Sequence, residues 1–172
     1  MKTLQYSLYK GMSGKWGALQ LNLQPPHFYK GKERDYVGTT AIKDGKLQEG
    51  WESREGAIFL EITSTKDKNV YDWENKIVMA LSVNDMGKLL LTLATGSECN
   101  IMHDPGAKSE QAGTIKKYLT VQSPKGLTEG CFFRVNQTQG AQTKKHEVPV
   151  GPDEVMVLRS LLQAAISRSL NW

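Results

Sequence analysis

The residues whose types could support catalysis are few, and His103 with Asp104 forms the most suggestive pair. Cys99 lies a short distance upstream. A His-Asp dipeptide has no fixed geometry by itself, and no serine or cysteine nucleophile motif, H-E-x-x-H or C-x-x-C accompanies it. Asp104 is followed by Pro105 and Gly106, a sequence typical of a turn that closes a strand. The pattern favours a turn over a nuclease or hydrolase site.

Two further features offer little material for cofactor chemistry. Residues 11–17, GMSGKWG, have glycines spaced as in a phosphate-binding loop. They lack the G-K-[ST] ending and lie between predicted strands instead of before a helix. The two cysteines, Cys99 and Cys131, are far apart and the three histidines are scattered. We therefore expect reduced, structural cysteines, with no disulfide framework, no metal site and no cofactor.

Positive charge is concentrated in two separated parts of the chain. Residues 1–34 hold six Lys or Arg and one acidic residue, and residues 105–148 hold seven basic and three acidic residues. Residues 35–104 carry seven basic and twelve acidic residues, and the net charge of the chain is +4. Two basic blocks that converge in the fold would suit a polyanion, most plainly nucleic acid. A basic protein that is merely soluble remains an equal alternative on charge alone.

Aromatic and basic side chains are interleaved within these blocks. Single-stranded nucleic acid requires this combination, because cations follow the phosphates and flat rings stack on unpaired bases. Readers of duplex DNA more often present a helix to the major groove. For any one aromatic residue, burial is an equally good explanation, since one face of each strand must be buried. The interleaved residues are Lys10, Lys15, Trp16, Phe28, Tyr29, Lys30, Lys32, Arg34, Lys116, Lys117, Tyr118, Phe132, Phe133, Arg134, Lys144 and Lys145.

The composition is that of one soluble globular domain. The chain has 172 residues, of which 39% are hydrophobic and 23% charged, a balance typical of a folded protein. No apolar run approaches the roughly 20 residues that cross a bilayer. The N-terminus shows no signal or transit character. We expect a soluble intracellular protein of the cytoplasm or nucleoid, with an organelle left open if a leader has been removed.

The first part of the chain is predicted to form strands, because apolar and polar residues alternate. The alternation covers residues 4–10, 15–23 and 57–66. Between the last two, residues 30–56 are polar and rich in glycine and charge. Segments of this length inside a compact domain are usually functional or mobile. We predict a long excursion from the compact domain here, with one candidate short hairpin around KDGK, residues 43–46.

The middle of the chain, residues 70–82, is predicted to end in a strand, because apolar side chains alternate from Ile77 onward. Ser82 and Asp85 then form an S-x-x-D helix start. The apolar residues that follow recur at helical spacing, which predicts a short helix.

Four more strands and a longer helix are predicted in the second half of the chain. The helix begins at Gly151-Pro152, and one apolar stripe comprises Val155, Leu158, Leu161, Leu162, Ala165 and Ile166. The predicted strands are residues 98–104, 113–122, 130–139 and 143–150. Antiparallel strands with a helix after each set of about four predict an α+β domain.

Several stretches of the sequence resemble the Whirly family of plant single-stranded DNA-binding proteins. The Tyr-Asp-Trp strand that runs into Leu-Ser-Val and a short helix corresponds to YDWENKIVMALSVNDMGKLL. ECNIMHDP, residues 98–105, is similar to the family's Cys-x-x-x-His-Asp-Pro strand end. KWGALQLNLQPPHF, residues 15–28, is similar to its Lys-Gly-Lys-Ala-Ala-Leu segment followed by Pro-x-Phe, although the lysine-rich motif is altered and GKWGAL, residues 14–19, stands in its place. GTIKKYLTVQ and the closing NW follow in order. The likeness extends over nearly the whole chain.

This resemblance implies two antiparallel four-stranded sheets packed roughly perpendicular, each followed by a helix, in a single domain over residues 1–172. Compared with the plant pattern, residues 30–56 form a longer insertion. It implies a non-enzymatic, homotetrameric protein that binds single-stranded DNA with low sequence specificity, with helices at the tetramer centre and bases against sheet edges. Kinetoplastid guide-RNA-binding proteins and positive-cofactor coactivators share the broader fold, so RNA remains an alternative ligand. Lys15 and Trp16 match the lysine-rich motif. The weaker, electrostatic candidates are Lys30, Lys32, Lys116, Lys117 and Lys145.

Overall fold

Two antiparallel sheets and two helices form the body of the chain, an α+β arrangement as the sequence predicts. The computed structural model describes residues 5–12, 14–107, 110 and 112–170. In chain order the strands are β1 (Gln5–Tyr9), β2 (Gly17–Gln24), β3 (His27–Lys30), β4 (Glu33–Asp35), β5 (Ile42–Lys43), β6 (Lys46–Leu47), β7 (Glu52–Arg54), β8 (Ala57–Asp67), β9 (Val70–Tyr71), β10 (Ile77–Leu81), β11 (Cys99–His103), β12 (Ile115–Gln122), β13 (Cys131–Gln139) and β14 (Gln142–Val150). The α-helices are α1 (Val83–Thr95) and α2 (Pro152–Ser169), and two single-turn 3₁₀ helices cover Trp73–Asn75 and Leu127–Glu129.

The sheets follow the chain closely. The first sheet has the order β1-β2-β8-β10, with β9 paired to the end of β8, and the second has the order β11-β12-β13-β14. All of these pairings are antiparallel. The predicted plan of about four strands, a helix, four strands and a helix is confirmed. Leu4, with which the first predicted strand begins, lies outside the described residues.

The hydrophobic core joins the inner faces of both sheets to the helices. Leu19, Leu60 and Ile62 in the first sheet are fully buried, as are Leu119 and Val121 in the second. β14 contacts both β2 and β8, so the two sheets pack directly on each other. Because strand side chains alternate between faces, burial of one face leaves the other available for contacts outside the core.

Both helices begin where the sequence predicts. The Oγ of Ser82 accepts a hydrogen bond from the N–H of Asp85, and Oδ2 of Asp85 accepts one from the N–H of Ser82 at 3.0 Å. This capping box satisfies backbone donors that have no partner in the first turn. At the start of α2, Oε2 of Glu154 accepts from the N–H of Gly151 at 2.7 Å.

The apolar stripe of α2 is largely confirmed. Val155, Leu158, Leu162 and Ala165 are buried, but 37% of Leu161 is exposed because it lies toward the outer side of the helix. No helix of the described residues has the length and apolar character needed to span a membrane.

Residues 27–54, here called the accessory segment, overlap the excursion predicted over residues 30–56. They contain the predicted hairpin, β5–β6, which turns at Asp44 and Gly45 with φ values of 50° and 71°. Positive φ at both positions is the reason that Asp-Gly favours such a turn. The sequence did not predict the small third sheet, whose strand order is β4-β3-β7.

A single carboxylate organises the loop after β4. Asp35 is buried and accepts hydrogen bonds from the backbone N–H groups of Val37, Gly38, Thr40 and Ala41 at 2.8–3.0 Å. These bonds hold the pKa of Asp35 far below its usual range, although its partial desolvation opposes them. The accessory segment is therefore a defined structure, held from within by its own hydrogen bonds.

Candidate nucleic-acid interface

Lys15 and Trp16 lie in the turn between β1 and β2, because β2 begins at Gly17 and not at Lys15 as predicted. At this point the backbones of β2 and β8 approach each other closely. A Cβ atom at Gly17 would lie only 1.7 Å from the carbonyl oxygen of Thr63, so only glycine fits. The next residue along β8, Ser64, pairs with Gly17 in the sheet.

Trp16 is fixed through both its backbone and its ring. Its carbonyl oxygen accepts hydrogen bonds from the N–H of Thr65 at 3.0 Å and from the Thr65 hydroxyl at 2.7 Å. Its half-buried ring lies 5.8 Å from the ring of Phe132 on β13, with 47° between the planes. The Nζ of Lys15 lies 5.4 Å from the Trp16 ring centroid. Lys15, Trp16 and Phe132, here called the Trp16 cluster, join a cation to two rings at a point where the two sheets meet.

Tyr71 and Asp72, from the Tyr-Asp-Trp stretch, hold the same turn in place. The hydroxyl of Tyr71 accepts a hydrogen bond from the N–H of Gly11 at 3.0 Å. Its ring lies 5.1 Å from that of Tyr9, which is 55% exposed. The Thr63 hydroxyl donates to the carbonyl of Asp72 at 2.5 Å. This stretch thus supports the turn that carries Trp16.

Lys116 and Lys145 are exposed on the outer face of the second sheet. Strand register places Met102 beside Tyr118, Tyr118 beside Asn136, and Asn136 beside Lys145. Met102 and Tyr118 are 56% and 39% exposed, so this row crosses the sheet from an apolar to a cationic end. We call it the outer row. Such a row offers a ring and a cation to one strand of nucleic acid.

Lys117 faces the opposite way from its neighbour Lys116. It is half-buried, and its Nζ donates to the carbonyl oxygen of Val78 at 2.7 Å. Desolvation lowers the pKa of Lys117. Val78 lies on β10, at the edge of the first sheet. The ammonium group of Lys117 therefore forms a hydrogen bond that links the second sheet to the first.

Lys30 and Lys32 lie in the accessory segment, on a different sheet from the other candidates. Lys30 ends β3 and Lys32 lies in the turn before β4, and both are exposed. The stem of Lys30 runs beside Gly50. The seven candidates thus lie in three parts of the fold: the turn between β1 and β2, the second sheet and the accessory segment.

Period-two alternation in the sequence could have assigned some of these residues to the exposed or the buried face of their strand. It places Lys116 with Tyr118 on one face and Lys117 with the buried Leu119 on the other. It likewise separates Phe132, in contact with Trp16, from the buried Phe133. Met102 and Asn136 carry no charge or ring, and only the strand register reveals their place in the outer row.

His103 and Asp104 have separate roles. Nε2 of His103 lies 3.0 Å from Oδ2 of Asp85 at the start of α1. The carboxylate of Asp104 accepts hydrogen bonds from the N–H groups of Gly106 and Gly113 at 3.0 and 2.6 Å, as a turn residue does. No group of three or more side chains suited to a metal ion occurs in the part of the chain that the structure describes.

Both cysteines are buried and free. Burial raises the pKa of the Cys131 thiol to about 12, and it also raises the pKa of Cys99. A thiol with a raised pKa is a poor nucleophile and metal ligand, because the thiolate is the reactive form. The reduced, structural role predicted for these residues agrees with this environment.

The family model described as "Whirly transcription factor" matches residues 9–161. The chain belongs to the Whirly family. The described part of this Whirly chain contains the motifs that carried the resemblance, except the closing residues 171–172, which lie outside it.

Two curated relatives are similar over nearly the whole of this Whirly chain. "Single-stranded DNA-binding protein WHY1, chloroplastic" of Zea mays is 29% identical, covering 97% of this chain and 56% of the relative. "Single-stranded DNA-binding protein WHY2, mitochondrial" of Arabidopsis thaliana is 27% identical, covering 97% of this chain and 63% of the relative. The chain therefore spans less than two thirds of the length of these relatives.

Solved structures support the Whirly fold. WHY1 from Arabidopsis thaliana superposes with a TM-score of 0.80 at 24% identity, covering 100% of this chain and 88% of that one. MRP1/MRP2 from Trypanosoma brucei superpose with a TM-score of 0.57 at 11% identity, covering 97% of this chain and 86% of that one. The second likeness shows that the broader fold extends beyond the Whirly family.

Proposed function

We propose that this chain binds single-stranded DNA without catalysing a reaction. The observation that carries the proposal is the Trp16 cluster, where a cation and two aromatic rings meet at the junction of the sheets. The names of the curated relatives, which are single-stranded DNA-binding proteins, support it. The net charge of +4 is also suited to a polyanionic ligand.

Within this proposal, the Trp16 cluster and the outer row contact the strand. Lys15, Lys116 and Lys145 lie near the phosphates, and Trp16 and Tyr118 stack on bases. Stacking tolerates any base, because every base has a flat face. Low sequence specificity is therefore expected, in a role in DNA maintenance or transcription.

The test compares affinities for a single strand and for a duplex of the same sequence over a salt series. We expect the single strand to bind more tightly, with an affinity that falls steeply with salt, by a slope of roughly −0.7 per phosphate contacted. Equal or stronger binding to the duplex would contradict the proposal. Competition with an RNA oligomer of the same sequence tests the alternative of an RNA-binding matchmaker, since a site that reads the 2′-hydroxyl prefers RNA.

We further propose that the chain forms a homotetramer through its helices. Leu91 on α1 is 62% exposed, and Met156 and Val157 on α2 are 59% and 42% exposed. Apolar side chains grouped on helix surfaces commonly mark protein interfaces. Light scattering should give a mass four times that of the chain, and Leu91→Lys should reduce it. A monomeric wild-type protein would contradict this assembly.

A location inside a DNA-containing compartment belongs to the same proposal. The relatives named above are described as chloroplastic and mitochondrial. Fractionation of cells that express the protein would test this location, and recovery with organellar DNA is the expected result.

A further inference from the structure

The accessory segment has one face that does not pack against its internal loop. In β3, side chains alternate, so His27 and Tyr29 point away from the side on which Phe28 lies. Phe28 faces the internal loop, where a Cβ at Gly38 would lie 3.2 Å from its ring. Asp35, opposite Phe28 in the register, binds that same loop. The inner face therefore packs against the loop, whereas the other face is partly open to solvent, with His27 and Tyr29 half-buried and Tyr36 exposed.

The solvent face combines rings with cations from three strands. Register places Tyr29 between Arg34 and Glu52, and His27 beside Arg54. We call this surface the accessory face. Its residues are His27, Tyr29, Arg34, Tyr36 and Arg54.

The three rings of the accessory face form a continuous series. The His27 ring lies 5.4 Å from the Tyr36 ring and 6.2 Å from the Tyr29 ring. Tyr36 is 59% exposed, so much of its surface is free to contact a ligand. Exposed rings in a series are the surfaces on which successive unpaired bases stack.

Arg34 is held in position above this series. Its guanidinium lies 5.4 Å from the Tyr29 ring centroid, and its Nη1 donates to the carbonyl oxygens of Gly31 and Glu33, each at 2.9 Å. An arginine whose remaining N–H donors point outward can bind a phosphate. Because the backbone already orders the side chain, little further ordering is needed on binding.

Two acidic side chains close to the accessory face, Glu52 and Asp35, accept hydrogen bonds within the accessory segment. Glu52 accepts a hydrogen bond from the Tyr29 hydroxyl at 2.5 Å, and this bond raises the pKa of Tyr29. Asp35 is bound to the inner loop. Glu33 is opposite Lys30 in the register. Alternation places Lys30 with Phe28 on the other face. On the accessory face, the guanidinium groups of Arg34 and Arg54 outnumber the single carboxylate of Glu52.

A shallow cleft completes the surface. It has a volume of about 400 Å³ and is lined by His27, Tyr29, Arg34, Ser53 and Arg54. This size falls within the roughly 300–1,000 Å³ typical of clefts that bind small organic groups. A base with its phosphate is a ligand of suitable chemistry.

We propose that the accessory face is a second contact surface for single-stranded nucleic acid, in which unpaired bases stack on Tyr36 and Tyr29 and phosphates bind Arg34 and Arg54. This proposal rests on the proposed function, because it assigns a further part of the same strand to a separate sheet. It extends the length of strand that one chain contacts beyond the Trp16 cluster and the outer row.

The test measures the affinity of Tyr36→Ala and Arg34→Ala for oligothymidylates of increasing length. We expect Tyr36→Ala to weaken binding of long strands roughly fivefold to a hundredfold, the usual effect of removing one stacking ring. Arg34→Ala should lower the salt slope by roughly 0.7. Tyr36→Phe should bind as the wild type does, and Lys46→Ala, an exposed lysine of the β5–β6 hairpin, is the matched control for lost charge.

A measurement on the wild-type protein makes the result independent of variant folding. An oligomer that contains 5-iodouracil is crosslinked by light, and the labelled peptides are mapped. Label on residues 27–36 or 52–54 is expected. A wild-type protein that binds strands while both variants bind equally well, with no label on these residues, overturns this inference and leaves the proposed function standing. A change in mass of Tyr36→Ala by light scattering, with unchanged affinity, also overturns it, because the face would then contact another copy of the chain. Absence of any wild-type binding overturns the proposed function itself.

Discussion

Nε2 of His103 lies 3.0 Å from Oδ2 of Asp85 and joins β11 to the first turn of α1. The same carboxylate oxygen accepts hydrogen bonds from the N–H and the hydroxyl of Ser82. Burial alone would raise the pKa of Asp85, but these bonds outweigh it and the pKa is lowered. His103 therefore acts through the helix cap, which ties the second sheet to the helix that follows the first.

We expect Ser82→Ala to lower the free energy of unfolding by about 1 kcal/mol, because α1 loses its capping box. Urea denaturation measures this loss. Ser160→Ala is the matched control, since Ser160 is exposed within α2 and its hydroxyl donates to the carbonyl of Met156 in the preceding turn. The control should change stability little. Affinity for single-stranded DNA should be unchanged in both variants, and a large loss of affinity in Ser82→Ala without a loss of stability would contradict the structural role.

The adjacent residues Lys116 and Lys117 should respond in opposite ways to alanine substitution. Lys117→Ala removes the charge-assisted bond to the Val78 carbonyl, so stability should fall by about 2 kcal/mol. Lys116→Ala should leave stability unchanged and lower the salt slope of DNA binding by roughly 0.7. Denaturation and a salt titration on the two variants test both parts. Similar effects of the two substitutions on stability and on the salt slope would contradict the assignment of Lys116 and Lys117 to opposite faces of β12.

Trp16→Ala should weaken binding of single-stranded DNA roughly fivefold to a hundredfold, because a stacking ring is lost. Trp16→Phe should recover part of the affinity, since it keeps a flat ring beside Phe132. The ring is half-buried, so unfolding curves must accompany the binding titrations. Lys43→Ala, an exposed lysine of β5, serves as a surface control. Equal affinity of Trp16→Ala and wild type would remove the Trp16 cluster from the interface.

The main elements of the fold could be predicted because local and global preferences agree. Alternation from Ile77 to Leu81 matches a strand with one buried face, and the Ser82 and Asp85 pair encodes a helix start in only four residues. Such signals are short-range. They predict individual strands and helices whatever the fold. The way in which these elements are arranged was predicted from the family resemblance.

The accessory segment could not be predicted in the same way. β3, β4 and β7 are each three or four residues long, and the loop they enclose depends on Asp35 finding four backbone donors. No hydrophobic periodicity in the sequence predicts that a carboxylate will bind these backbone N–H groups. The same limit applies to the candidate interface: charge identified Lys116 and Lys117 together, whereas only alternation and register distinguish the exposed lysine from the one bound to Val78.

His146 gives the fold a specific dependence on pH. It is 6% exposed, and Nε2 lies 3.0 Å from the carbonyl oxygen of Asn75, so Nε2 carries the hydrogen in the neutral ring. Nδ1 is buried, and none of the described residues is hydrogen-bonded to it. Desolvation lowers the pKa of His146 below its ordinary 6.5, with a smaller contribution from Lys144, against the opposing effects of Asn75 and Asp72.

As the pH is lowered, the unfolded chain therefore binds a proton at His146 at a higher pH than the folded chain does. Stability from this group is complete above pH 6.5 and is lost as the pH falls from 6.5 through the lowered pKa of the folded state. Asp72 and Asp85 also have lowered pKa values, but their stabilisation is lost only as the pH falls below 3.8. The two effects therefore occupy separate pH ranges.

We expect the free energy of unfolding of the wild-type chain to decrease between pH 7 and pH 5, and His146→Gln to make that decrease shallower. Glutamine keeps a donor for the Asn75 carbonyl and removes the titrating group. Denaturant unfolding at half-unit pH intervals measures both slopes, and His27→Gln, at a histidine outside the core, is the matched control that should keep the wild-type slope. An unchanged slope in His146→Gln would mean that the loss of stability arises elsewhere. A wild-type chain more stable at pH 5 than at pH 7 would contradict the sign, because it would require the folded chain to bind more protons than the unfolded chain in this range.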